Sequence, residues 1–394
     1  MTIAIIGAGP AGAFAAESLA RAGRKVLLFD EKLAWEKPCG GGITHKALVE
    51  YPFLGDSQAE RNWVSGCELV SPSGRRTRLR LDRPIAIFSR RVLNGLLLER
   101  ARQAGAEVVQ ERVITITGAA GTWKLHARGG DCEAAYVVLA AGARNPFRAQ
   151  FSLPFGAQDL MATAGYYIPG SAAEMQVRFF AGLDGYMWMF PRSDHYSAGI
   201  CGKMSGTTTA ELRRRLEAAL GEEGVEFRGA PFYSHVLPSP TVGFLRRAPV
   251  CGEGWAMIGD AAGFVDPITG EGLYYALRSA DLLSRALIAG RPESYPHWLW
   301  QDFLRELETA AGFVGRFFKG RFAGAPVPER IVQFAACSPR FRTLLCDVFA
   351  GSQGYSGLRR RAYLLLPMML TELVRMPIQP HRPTTNDRRP TAAL

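Results

Sequence analysis

Residues 2–31, TIAIIGAGPAGAFAAESLARAGRKVLLFDE, decide the fold. An apolar run of β-forming residues ends at Gly7, an alanine-rich stretch of helical character follows, and a second apolar run opens at Lys25. Gly23 stands where a helix C-cap belongs, so the stretch predicts one strand–helix–strand unit with parallel strands. Its turn carries Gly7-x-Gly9-x-x-Gly12. Gly7 permits the sharp turn, Gly9 lets a pyrophosphate approach the backbone, and Gly12 lets the helix pack on the sheet. The helix N-terminus then offers free N–H groups and partial positive charge to the phosphates. An acid closes the second strand. Asp30 is placed to accept hydrogen bonds from an adenosine ribose, with Glu31 its adjacent competitor, and a carboxylate there repels a 2′-phosphate.

The rest of the composition bounds the answer. The chain has 394 residues, 47% hydrophobic and 21% charged, which suits a folded multi-layer enzyme. Its seven cysteines are odd in number and form no C-x-x-C pair, as expected for a reducing, cytoplasmic setting without zinc ribbon or disulfide framework. The six histidines show no metal-ligand spacing, though His45 follows a glycine-rich segment closely. The N-terminus has no basic region ahead of its apolar run and does not read as a signal peptide. No apolar run reaches the length of about 20 residues that a bilayer requires. The late segment 362–374, AYLLLPMMLTELV, is short and interrupted by Pro367, which leaves peripheral contact with a membrane surface open. A net charge of +11 favours an acidic partner, but no nucleic-acid-binding motif accompanies it.

Along the chain, GCELVSPSGRRTRLRL predicts a hairpin turning at Ser71–Gly74, and a helix is expected at about 92–104. AEVV and AAYVVLAAGA read as strands returning to the first sheet. Between Met161 and Gly202 the period changes to two, predicting four consecutive antiparallel strands of a second sheet. The first style returns with GWAMIGDAAG and a helix capped at Gly290. From about Tyr295 the chain reads as helical, with a frayed tail from 382.

A second motif, IGDAAGFVDPITGEGLYYAL at 258–277, separates FAD from NAD. A strand delivers Asp260, whose carboxylate can hold a ribityl or ribose hydroxyl. Pro267 stiffens the loop, while Gly270 and Gly272 leave room for a flat ring at the next helix N-terminus, which can stabilise negative charge on a reduced flavin.

Two further segments carry chemistry. EKPCGGGI at 36–43 sets Cys39 before three glycines, where a cysteine can be a nucleophile, a metal ligand, a redox thiol or packing against a flat cofactor. With no base or second ligand at useful spacing, packing and positioning come first and proton delivery second. YMWMFP at 186–191 alternates, so Tyr186, Trp188 and Phe190 share one face and Met187 and Met189 the other. Both faces are apolar, one of them against a cavity or the core.

The two glycine motifs together resemble the p-hydroxybenzoate hydroxylase-like group of FAD enzymes. KPCGGG and YMWMFP narrow this, since they resemble the signatures of the geranylgeranyl reductase family, and FRTLLCDVFAGSQGYSGLRRR is similar to its C-terminal helical part. The resemblance implies an α/β fold: a Rossmann-type FAD-binding domain (1–60, 85–150 and 245–295) interleaved with an antiparallel-sheet substrate domain (61–84 and 151–244), then a C-terminal helical region (296–394). It implies Gly7, Gly9, Gly12, Asp30 and Glu31 on the adenosine diphosphate half of FAD, and Asp260, Pro267, Gly270 and Gly272 on the ribityl and flavin half. It puts Arg90, with Arg91 the alternative, near the FAD. Cys39 and the three glycines Gly40, Gly41 and Gly42 would lie along the flavin ring, Cys39 and Gly41 as catalytic candidates, and Tyr186, Trp188, Phe190 and Pro191 would line an isoprenoid cavity.

The implied reaction is saturation of isoprenoid C=C bonds by hydride from reduced flavin. One departure is that AAGARNPFR at 140–148 lacks the aspartate that many hydroxylases of this group carry there. The rivals are an oxygen-using monooxygenase or halogenase-like enzyme, although no halogenase-type lysine segment matches, and a non-catalytic flavin electron-transfer protein. No second G-x-G-x-x-G supplies a nicotinamide domain, so the expected donor is an acidic carrier such as ferredoxin, or transiently bound NAD(P)H.

Overall fold

The computed structural model describes residues 1–375. Two sheets dominate it. In the first, strands 251–252, 255–257, 136–139, 2–6, 25–29 and 107–109 lie side by side in that order, all parallel except the antiparallel edge 251–252. Fully buried Ile3, Ile5, Leu28 and Val138 make its centre. Such unbroken apolar runs are what a parallel sheet covered on both faces demands. Helix Pro10–Arg21 starts with proline in its first turn, is followed by Gly23 at φ +74°, and packs between helices Arg90–Gln103 and Leu273–Ile288. The second of the expected helices begins at Arg90, two residues early, because Ser89 caps it by accepting from the Val92 N–H.

The second sheet has eight strands in the order 232–238, 160–169, 195–203, 186–191, 174–179, 62–70, 76–87 and 42–43. The hairpin turning at 71–74 is present between two of them. The order corrects one expectation: strand Leu160–Pro169 pairs with His195–Lys203 and Phe232–Pro238, not with its sequence neighbour Glu174–Phe179, which runs parallel to Asn62–Val70. Strand Phe232–Pro238 and a small separate sheet of Val113–Thr117, Trp123–Ala127 and Gly130–Ala134 were not anticipated. Strand Arg76–Ile87 also runs beyond the boundary expected at 84.

The short strand Gly42–Ile43 pairs with Ala86 and Ile87. This stitches the Cys39 segment to an edge of the second sheet while its preceding residues reach the first. Helices Arg305–Lys319, Val327–Cys337, Pro339–Phe349 and Tyr355–Arg375 follow, the second and third packing on strand Arg76–Ile87. The last runs through Pro367, so the proline does not break it as expected. The frayed tail expected from 382 lies outside the described residues. Among the described residues no helix is long and apolar enough to cross a membrane.

Candidate active site

One cavity of about 1330 Å³ runs along the seam between the two sheets and under the C-terminal helices. It starts at the glycine turn. A Cβ on Gly7, at φ +105°, would lie 2.5 Å from the Ala140 carbonyl oxygen, and one on Gly12 would lie 1.9 Å from that of Gly7. These two glycines accommodate the protein itself. A Cβ on Gly9 would meet nothing within 4 Å. Its missing side chain therefore leaves space in the cavity wall, at the N-terminus of helix Pro10–Arg21, where a pyrophosphate would meet N–H groups and no acidic residue of the helix's own first turn.

Asp30 is tied into the turn. Its Oδ2 accepts the Ala8 N–H at 2.8 Å and its Oδ1 accepts those of Lys32 and Leu33 at 2.8 and 2.9 Å. Oδ2 keeps a lone pair free, so the same carboxylate can brace the turn and accept from a ribose. Glu31 also lines the cavity and faces Arg112 at 3.9 Å. Arg90, not Arg91, reaches the cavity. It is buried, with its Nη2 donating to Asn94 and its Nε without a partner, whereas Arg91 is exposed at a separate small pocket.

The second motif meets the first across the cavity. Asp260 accepts from Lys37 Nζ at 3.3 Å. Gly270, at φ +70°, lies against Tyr186, whose hydroxyl donates to the Thr269 carbonyl, and a Cβ on Gly272 would crowd Asp260. Pro267 is buried but outside the cavity wall, so it shapes the loop without facing a ligand. His45 opens a short helix away from the cavity. The histidine that lines the cavity is His235: burial and the nearby cations Lys37, Arg144 and Arg90 press its pKa down to about 3, which favours the neutral imidazole, and its Nε2 has no partner.

The Cys39 segment departs from its simplest reading. A Cβ on Gly40 would lie 2.7 Å from the Phe190 ring, and one on Gly41, at φ +83°, 2.0 Å from the Phe88 carbonyl oxygen. These two glycines make room for protein on one side, while the segment from Lys37 to Gly42 lines the cavity on the other. The Gly41 N–H points to Cys39 Sγ at 3.3 Å, and the Cys39 carbonyl accepts from Arg192 Nη2 at 2.7 Å and Ser197 Oγ at 2.9 Å. Arg192 also pairs with Glu36, which accepts from the Ser89 hydroxyl and the Arg90 and Arg91 N–H groups. Burial alone would raise the Glu36 pKa, but the Arg192 charge and these donors outweigh it and hold the carboxyl below its ordinary value. Glu36, Arg192 and Ser197 escaped sequence reasoning. The one available signal was the position of Arg192 directly after YMWMFP.

Tyr186, Trp188 and Phe190 line the cavity and share a core with the second sheet, while Met187 belongs to the opposite core. Pro191 does not line it; its carbonyl accepts from Asn62 Nδ2 at 3.2 Å. Facing the aromatic strand are Phe317, Phe341, Phe349 and Leu358 from the C-terminal helices. The cavity therefore has a polar half at the glycine turn and an apolar arm. The open space at Gly9, Asp30 beside it, the free Arg90 Nε and the glycines around Asp260 fit FAD.

Comparison with known proteins agrees. A profile of the pyridine nucleotide-disulphide oxidoreductases matches residues 1–164. The chain is 30% identical to geranylgeranyl diphosphate reductase of Synechocystis over 73% of this chain and 75% of that protein. It is 28% identical to menaquinone reductase of Mycobacterium tuberculosis over 72% and 76%. Among solved structures, a geranylgeranyl bacteriochlorophyll reductase-like protein of Thermoplasma acidophilum shares the fold at TM-score 0.75 and 19% identity, covering 92% of this chain and 99% of that one. The flavin-dependent brominase Bmp2 shares it at TM-score 0.69 and 16% identity, covering 95% and 100%. The chain is a flavin oxidoreductase that uses FAD and belongs to the geranylgeranyl reductase family.

Proposed function

We propose that the enzyme saturates C=C bonds of an isoprenoid chain lying in the apolar arm. The observation that carries this is the continuity of the cavity: its polar half opens directly into an arm walled by Tyr186, Trp188 and Phe190 on one side and the C-terminal helices on the other. Bound FAD, once reduced, supplies two electrons as a hydride. The protein holds the chain and excludes water, which matters because an isolated alkene is a poor hydride acceptor. The names of the two enzymes similar in sequence support an isoprenoid-bearing substrate. Cys39 and Gly41 stand at the wall between polar half and arm, and we assign the Cys39 segment a positioning role. Electrons reach the flavin from an acidic carrier.

The test is anaerobic incubation of the reduced holoenzyme with geranylgeraniol, geranylgeranyl diphosphate and menaquinone, read by mass spectrometry. A product heavier by two hydrogens per bond, formed without oxygen, is expected. Product only when oxygen is admitted would establish the monooxygenase- or halogenase-like alternative, and reduced flavin that no polyprenyl compound reoxidises would establish the electron-transfer one.

A further inference from the structure

Saturating an alkene needs a proton as well as a hydride, and a carboxyl group stands at the place where the two parts of the cavity meet. Glu271 lies between Gly270 and Gly272, just ahead of helix Leu273–Ile288, and lines the cavity. Thr44, directly after the Cys39 segment, donates its hydroxyl to Glu271 Oε1 at 2.8 Å. Oε2 has no hydrogen-bond partner among the described residues. The loop is folded on itself, the Asp266 N–H donating to the Glu271 carbonyl at 2.9 Å, and is held against the C-terminal helix by Tyr355, whose hydroxyl donates to Asp266 Oδ2 at 2.7 Å. Tyr355 and Leu358 of that helix line the same cavity. Glu271 thus belongs to the glycine loop of the polar half and borders the wall of the apolar arm.

Resting on the reductase reading, we propose that Glu271 is the proton donor of the saturation. The alkene π bond breaks as one carbon takes the hydride of the reduced flavin and the other takes the proton of the Glu271 carboxyl. The two electrons of the new C–H bond at the first carbon come with the hydride, those at the second from the π bond, and the carboxylate left behind is reprotonated from solvent. Lys46 is a nearby cation that steadies that carboxylate until the proton returns. Its ammonium lies over the Tyr274 ring at 4.0 Å, and its charge is favoured by Glu271, Asp302 and Glu306 although burial lowers its pKa.

The surroundings favour the protonated form of Glu271 far more than water does. Burial, with Asp266 adding to it, raises its pKa to about 7 against the lowering effects of the Thr44 hydroxyl and Lys46. Asp266 does not line the cavity: the Tyr355 hydroxyl and the Ile268 and Thr269 N–H groups donate to its carboxyl, and burial raises the hydroxyls of Tyr274, Tyr275 and Tyr355 above their usual range. A carboxylic acid kept neutral in an apolar site is a recurring general-acid arrangement.

The test uses the full-length FAD-loaded protein and its Glu271→Gln and Glu271→Asp variants. Infrared difference spectra across pH 6 to 8 are expected to show a carboxylic-acid carbonyl band in the wild type that vanishes in E271Q. With the fastest substrate from the assay above, E271Q is expected to keep its FAD and its reduction by dithionite while losing about 100-fold or more of the alkene saturation rate. E271D should recover part of it. The wild-type rate should fall as pH rises through about 7. Saturation by E271Q within twofold of wild type, or a Glu271 already ionised at pH 6, overturns the proposal while leaving the reductase reading intact. A protonated Glu271 in an enzyme that saturates no polyprenyl compound overturns both.

Discussion

Arg192 buries its guanidinium completely; its two terminal nitrogens meet Glu36, the Cys39 carbonyl and His195 Nε2, while its Nε has no partner. The charge is tolerated because Glu36 answers it. Glu36→Ala should therefore cost about 3–5 kcal/mol, the usual cost of stranding a buried charge, read by urea unfolding at pH 7. Glu36→Ala with Arg192→Met should recover part of that loss, since the stranded cation is gone. A cost for Glu36→Ala below about 1 kcal/mol, the level of an exposed pair, would contradict this account. The pH dependence has a definite sign. A carboxyl whose folded pKa is depressed lends stability above its unfolded value and loses it as pH falls through the folded one. The wild type should lose this contribution below the ordinary carboxylate range, and Glu36→Ala should show no such loss. At this scale the sequence was half legible. Cys39 beside glycines announced a tight segment, but an arginine ending a strand reads as surface until its partner 156 positions away is known.

Glycines separate two kinds of element that look identical as letters. Gly41 stands at φ +83° with the Phe88 backbone against its Cα, so Gly41→Ala incurs about 1–2 kcal/mol of left-handed strain plus a clash with backbone that cannot move aside. Gly9 has φ −68° and open space. Gly9→Ala should leave the thermal stability of the FAD-free protein unchanged and weaken FAD binding, whereas Gly41→Ala should lower stability before FAD is added. Calorimetry with flavin titration distinguishes them, and equal stability losses would refute the distinction. The strand–helix–strand unit was legible because its apolar runs, glycine turn and cap are all local signals. The order of the second sheet was not. Period two announces a strand but not its neighbour, so nothing local says that Leu160–Pro169 passes over Glu174–Phe179 to join His195–Lys203. Phe232–Pro238 went unseen because it is only partly covered, alternates poorly and ends in proline.

For the whole molecule, the seam explains why motifs far apart in the chain share one site. Gly42–Ile43 joins the second sheet, Asp30 and Asp260 end strands or turns of the first, and Glu271 with Thr44 bridges from one to the other. The resemblance of whole motifs made this convergence readable; spacing alone would not. Net charge acts at the same scale. On the donor reading proposed above, a chain of net charge +11 would attract an acidic one-electron carrier at long range, and such steering weakens once the Debye length, about 30 Å at 0.01 M salt, shrinks below the size of the encounter. Stopped-flow reduction of the FAD by an acidic ferredoxin should therefore slow at least about tenfold between roughly 0.01 and 0.5 M salt, with the flavin's equilibrium potential unchanged. NADPH, a small anion with no extended face to orient, should be slower at low salt and show a shallower dependence. If the ferredoxin rate is flat in salt, or NADPH reduces the flavin faster throughout, the positive surface serves some other acidic partner and the donor assignment falls, while the cavity and its chemistry stand.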